Sequence, residues 1–173
     1  MIHIERSTDY GLIRGIMTQG SIYRHLADDF SPTSAEFQPI KSDLIWYLLA
    51  WDGNELLGLW MLHPQNGICW EIHTALLPDA WGDRGLRAAK VALAWIWTHT
   101  PCRRIVTNVP DDNHLAFRFA LAAGMTAYGV NRASFQKNGR LLDQACLGIS
   151  RPLEMPLFEA TEPAIASVGQ GEG

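Results

Sequence analysis

Glu71 and His73 stand two residues apart in ICWEIHTALL (68–77), a stretch whose apolar and β-branched residues predict a strand. Alternation along a strand puts both side chains on one face. A carboxylate and an imidazole side by side, or a water between them, could take up and relay a proton. Trp70 and Ile72 are the sequence neighbours of Glu71. An apolar setting of that kind lets a carboxylate hold a proton near neutrality. Glu71 is therefore the first candidate base and His73 the second. The competing structural reading is a strand carboxylate paired with a basic side chain, beside a packed histidine.

The residues that follow suit a different chemistry. LLPDAWGDRGLRAAK (76–90) carries Pro78, Gly82 and Gly85 in a turn that opens a helix. A helix N-terminus offers unpaired N–H groups and a positive dipole end. Glycine lets a ligand approach the backbone, and Arg84 and Arg87 add charge. Together these residues predict a phosphate or pyrophosphate cradle. It is neither a Walker loop nor a dinucleotide fingerprint, because neither glycine pattern is complete. Pro110-Asp111-Asp112-Asn113 reads as a loop and cap, and His114 follows Asn113 at the start of a later helix.

These residues must be positioned by the elements around them. A strand at Ile2–Glu5 is followed by a helix capped by Thr8 and a second helical piece near 21–28. Residues 29–42, with Pro32 and Pro39, read as loop. LIWYLLAW (44–51) and LLGLWMLH (56–63) flank Asp52-Gly53-Asn54, a hairpin signal. Apolar residues then recur at helical spacing from Asp83 to Thr98. A strand at 103–109, a helix up to Gly124 and two strands around Asn138-Gly139 complete the order. The expected fold class is α/β (α+β): one mixed, mostly antiparallel sheet of about seven strands with helices on both faces. Residues 1–150 are expected to form this domain and 151–173 a C-terminal tail. The tail reads as plain disorder or as a docking arm anchored by Pro156-Leu157-Phe158.

Composition narrows the function classes. At 173 residues with 47% hydrophobic residues, the chain can bury one sizeable core. A net charge of −4 argues against general nucleic-acid binding, which wants a basic surface. Cys69, Cys102 and Cys146 form no C-x-x-C pair, so no zinc signature is present and no metal ligands are assigned. No apolar run is long enough to span a bilayer and no signal-peptide core is visible, so a cytoplasmic protein without membrane contact is expected. Seven Trp residues read mainly as core; Trp95 and Trp97 cannot share one helix face.

Over about residues 2–150 the chain resembles the GNAT family of acetyl-CoA-dependent N-acetyltransferases. The family loop Q/R-x-x-G-x-G/A aligns with Gly82-Asp83-Arg84-Gly85-Leu86-Arg87. Gly85 matches; Gly82 and Arg87 depart from the pattern. PDDNHLAFRFALAAGM (110–125) looks like the family's N-x-x-A/S…G-F segment, with Met125 for Phe. SFQKNGRLLDQACLGIS (134–150) is similar to its terminal hairpin, and WGDRGL looks like the branch that acetylates protein N-termini, ribosomal proteins among them.

The resemblance implies that acetyl-CoA lies on Gly82, Asp83, Arg84, Gly85, Leu86, Arg87 and Asn113. It also implies that backbone N–H groups near Leu76 and Leu77 polarise the thioester carbonyl. Glu71, eleven residues before Gly82, sits where some members carry a glutamate base. The acceptor would be a protein N-terminus, a lysine or a small amine. Tyr23, Arg24, His25, Asp28 and Asp29 lie in the region expected to shape its side. The tyrosine that many members place seven residues after the Asn is Ala120 here, and Tyr128 lies on a following strand. A homodimer is a further expectation. Arg87 and Ala120 also fit a second reading, a catalytically weak or inactive binding or assembly protein. A fainter resemblance to GNAT-like proteins encoded among tailed-phage genes goes with it.

Overall fold

The computed structural model describes residues 1–155. β1 (Ile2–Ser7) leads into α1 (Tyr10–Met17) and α2 (Gly20–Leu26). The cap of α1 is Asp9, whose carboxylate accepts from the Leu12 N–H at 2.9 Å, one residue beyond the expected Thr8. β2 (Trp46–Asp52) and β3 (Glu55–Pro64) form the hairpin about Gly53-Asn54. β4 (Cys69–Leu76), a 3-10 turn at Pro78–Ala80 and α3 (Asp83–His99) follow. Then come β5 (Arg104–Pro110), α4 (His114–Ala122), β6 (Thr126–Lys137) and β7 (Arg140–Ser150). Asn138 and Gly139 both take positive φ, the backbone of a tight hairpin turn.

The seven strands form one sheet in the order β1-β2-β3-β4-β5-β7-β6. Only β4 and β5 pair in parallel, joined through α3 because a parallel neighbour needs a crossover. The central strands are apolar on both faces. Leu48 and Ala50 pack toward α3 with Ala88, Ala92, Ile96 and Trp97. Tyr47 and Leu49 pack toward α1 and α2 with Ile13, Ile16 and Ile22. That two-sided burial explains the continuous hydrophobic runs.

Trp60, Trp70 and Trp97 are core residues, whereas Trp95 is half-buried and stacks on His99. Past β7 the Arg151 N–H donates to Arg103 O at 2.9 Å, and Met155 packs on the core. The start of the expected tail is therefore part of the packed chain. Residues 156–173, with the Pro156-Leu157-Phe158 anchor, lie outside the described residues. Among the described residues, no helix is long and apolar enough to cross a membrane.

Candidate active site

β4 and β5 pair only over Cys69–Glu71 and Arg104–Val106, although both strands run on. A cleft of about 560 Å³ opens where they part. Its walls include Glu71, His73 and Leu76 from β4, and Asn108 and Val109 from β5. Gly82, Asp83 and Leu86 at the start of α3 and Asn113 at the start of α4 complete the rim.

The two backbone candidates on β4 separate. The Leu77 N–H donates to Leu57 O at 2.9 Å and is engaged in the sheet. Antiparallel alternation then makes Gly58–Leu76 a non-hydrogen-bonded pair, so the Leu76 peptide groups point away from β3 toward the gap. The Leu76 carbonyl accepts from the Trp81 indole at 2.9 Å. Of the two expected donors, the Leu76 N–H is the one turned toward the cleft.

At the mouth of α3, Gly82 has φ 81° and ψ −142°, a backbone that an L side chain strains to adopt. No side chain caps this helix, and Leu86 is the residue whose N–H reaches the Gly82 carbonyl. The first-turn N–H groups of Asp83, Arg84 and Gly85 thus have no acceptor within the helix. Gly85 has a packing reason of its own. A Cβ there would lie 2.5 Å from Ala80 O and 2.9 Å from Leu76 Cδ1.

The two arginines differ in what they hold. Arg84 reaches back to the β2–β3 turn, with Nη1 and Nη2 on Glu55 at 2.6 and 2.7 Å and Nε 3.3 Å from Asp52. Those carboxylates raise its already high pKa, the Glu55 hydrogen bonds first. Arg87 is exposed and stands outside the cleft wall.

Glu71 does not have the apolar setting expected from its neighbours. Trp70 and Ile72 point into the core under α3, while Glu71 and His73 face the α1–α2 side. Gln65 Nε2 donates to Glu71 Oε2 at 3.0 Å and Asn108 Nδ2 to Oε1 at 3.2 Å. Asn131 in turn donates to Asn108 Oδ1 at 3.0 Å. His73 Nε2 lies 3.8 Å from Glu71 Oε1, and His63 Nε2 lies 3.9 Å from Oε2. Burial pushes the His73 imidazole below its ordinary pKa; Glu71 opposes that and His63 adds to it. A neutral His73 can accept a proton near pH 7. Asn108 and His63 do not stand out in the sequence because the register across β3, β4 and β5 brings them to Glu71, and Gln65 reaches it from the β3–β4 turn.

The remaining candidates divide. Asn113 caps α4, its Oδ1 accepting from the Ala116 N–H at 3.1 Å, and lines the cleft. His114 is exposed and lies outside the cleft wall. Ala120 is buried in that wall and offers no hydroxyl. Tyr128 is exposed on β6, its ring 5.1 Å from the Arg104 guanidinium. His25 lines the cleft from α2 with a buried Nδ1 that has no hydrogen-bond partner. Burial first, then Arg24 and Lys137, lower its pKa against the pull of Asp112. Asp28 and Asp29 are both taken up by hydrogen bonds within the chain, Asp28 locally and Asp29 across to the β6–β7 hairpin. Asp28 accepts from Phe30 N–H and Ser31, and Asp29 from the Asn138 and Gly139 N–H groups.

No family model matches the chain, and no curated protein matches it in sequence. Solved structures do. Spermidine N-acetyltransferase from Vibrio cholerae, in complex with CoA and spermine, superposes with a TM-score of 0.71 at 19% identity, covering 86% of this chain and 95% of that one. An acetyltransferase of the GNAT family from Streptococcus pneumoniae gives 0.66 at 15% identity, covering 87% and 100%. At these identities the likeness is one of architecture: the chain carries the fold seen in GNAT acetyltransferases.

Proposed function

We propose that this chain moves an acetyl group from acetyl-CoA directly to a primary amine, with Glu71 taking the amine proton. One observation carries the reading. The Glu71–His73 pair borders the same cleft as the open N-terminus of α3, at the point where β4 and β5 part.

The residues present fit the CoA group. The first-turn N–H groups of α3 suit a pyrophosphate, and Gly82 leaves the backbone open to close approach. When bound, acetyl-CoA supplies a thioester carbonyl for attack. The Leu76 N–H, turned toward the gap, would donate to that carbonyl oxygen. Glu71, oriented by Gln65 and Asn108, accepts the proton released by the attacking amine. Neutral His73, 3.8 Å from Glu71 Oε1, can relay it toward solvent through one water. Ala120 in the wall offers no hydroxyl, so the proton for a leaving thiolate would come from water.

His73 and Leu26 also border a second cavity of about 210 Å³ between α2, the 29–42 loop and the sheet. Its wall carries Tyr23, Ser31 and Tyr47 hydroxyls among apolar groups and no carboxylate. That lining suits a small monoamine with an apolar body better than a polycation. The test is acetyl-CoA calorimetry followed by thiol-release assays on a monoamine, spermidine, a lysine peptide and a peptide N-terminus. Micromolar binding with turnover on the monoamine supports the reading. No binding at millimolar acetyl-CoA overturns it, and binding without turnover on any acceptor favours a binding module.

A further inference from the structure

We propose that His63, Glu71 and His73 bind a divalent transition cation of the zinc class, and that the bound cation withdraws Glu71 from proton transfer. The first half stands on geometry alone; the second rests on the proposed acetyl transfer.

Three donor atoms converge from two adjacent strands. His63 sits directly opposite Glu71 in the β3–β4 register, and His73 follows two residues along the same face. His63 Nε2 and His73 Nε2 are 3.4 Å apart, and each lies 3.8–3.9 Å from a Glu71 oxygen. Metal–ligand bonds of about 2.0–2.1 Å in a tetrahedron place donor atoms roughly 3.4 Å from one another. The two imidazole nitrogens already stand at that spacing, while each faces a different Glu71 oxygen; with one oxygen as the third donor the atoms lie within 4.8 Å of one another, so the carboxylate must swing inward by about an ångström to close on a zinc-type ion.

Direct hydrogen bonding accounts for only part of the arrangement. The two Nε2 atoms lie 3.4 Å apart, a long hydrogen bond in which one ring must be the donor, and neither imidazole reaches Glu71 within hydrogen-bond range although each has a carboxylate oxygen within 4 Å. A cation between them satisfies all three lone pairs at once. The outer shell is also in place. Gln65 and Asn108 donate to the two Glu71 oxygens, and Asn131 holds Asn108, as ligating carboxylates are commonly held. The two imidazoles are about a third exposed, which leaves an entry path and a fourth position for water. Two nitrogens and one carboxylate suit zinc, cobalt or nickel rather than calcium or copper(I). Among the described residues, no other group of three such side chains meets in this way.

The consequence for catalysis is competition for one lone pair. A Glu71 oxygen bound to a cation is a poorer proton acceptor, and the ion stands between His73 and the carboxylate.

The test is a cobalt(II) titration of the EDTA-treated full chain, read by the visible absorption of tetrahedral cobalt, with zinc as competitor. His63→Ala and the size-conserving His63→Gln are compared after checking that each folds. The expected result is a zinc-displaceable band in the native chain, weakened at least about tenfold in affinity in both variants. Saturating zinc should suppress thiol release in the native chain and spare it in the His63 variants. No band, or equal cobalt affinity in all three proteins, overturns the site. A band with turnover indifferent to zinc overturns the inhibitory half. A band in a protein without acetyl transfer at any metal level supports the site and fails the proposed reaction instead.

Discussion

Asn108 donates its side-chain amide to Glu71 Oε1 at 3.2 Å across the point where β4 and β5 stop pairing. The bond spans 37 residues of sequence and fixes the carboxylate at the edge of the gap. Two substitutions separate chemistry from positioning. Glu71→Gln keeps the shape and removes the base, so turnover should fall by about 10²–10⁴-fold with acetyl-CoA affinity unchanged. Asn108→Ala leaves the base but frees it to rotate, so kcat should fall roughly tenfold with KM little changed. Steady-state kinetics with parallel calorimetry decides both. Full activity in Glu71→Gln would remove Glu71 from the mechanism.

The start of α3 makes a second prediction, because its two glycines are there for different reasons. Gly82 is required by its backbone angles and borders the cleft. Gly85 is required by contact, with Ala80 O where a Cβ would go. Gly82→Ala should cost about 1–3 kcal/mol in stability and also weaken acetyl-CoA binding, because the first-turn N–H groups are re-aimed. Gly85→Ala should cost about 1–3 kcal/mol through overpacking. Denaturant melts measure the first effect and calorimetry the second. A Gly82→Ala protein that binds as tightly as the native chain would remove this turn from the cofactor site.

The same region shows what was legible in the sequence. The strands and turns were readable because each carries a local signal: apolar runs, the Gly53-Asn54 and Asn138-Gly139 turns, and the helical spacing from Asp83 onward. The pairing of Glu71 with His73 was readable because a strand repeats every two residues. That repeat also explains the misjudged setting of Glu71, since its apolar neighbours face the opposite side of the sheet. His63 and Asn108 depend on register across three strands, which no local pattern encodes, and Gln65 on how the β3–β4 turn closes. Arg84 misled for a related reason. Its charge suits phosphate, but its partners sit on a hairpin turn 29 residues upstream.

Arg84→Ala therefore tests whether charge near the loop matters to the ligand. Its guanidinium is held by Glu55 and Asp52, and Asp52 also accepts from the chain's amino terminus at 3.0 Å. Removing it should lower the thermal midpoint slightly, as exposed ion pairs contribute little. Acetyl-CoA affinity should stay where it is. A large loss of affinity, with the midpoint unmoved, would place Arg84 on the ligand instead.

Asp29 ties the tip of the β6–β7 hairpin to the segment after α2, and the tie is sensitive to acid. Its two oxygens accept from the Asn138 and Gly139 N–H groups at 2.7 Å each, while its own N–H donates to Gln136 O at 3.0 Å. The Gly139 N–H is the largest influence. Against some burial, and aided by Asn138, Gln136 and Lys137, it holds the carboxyl below the ordinary aspartate pKa. A carboxyl lowered on folding stabilises the fold fully above its unfolded value, and that stability drains away as pH falls through the lowered value. Asp29→Asn should therefore melt earlier than the native chain at pH 7, and the gap should close in acid as the native carboxylate takes up its proton. Phe135 and His25, on either side of this tie, both line the cleft, so the variant should also show a raised KM for the amine. Melting curves from pH 7 down to about pH 3 check the sign, given the ordinary range of aspartate. A gap that stays constant across that range would show that the carboxylate charge contributes nothing and that the hairpin is held by packing alone.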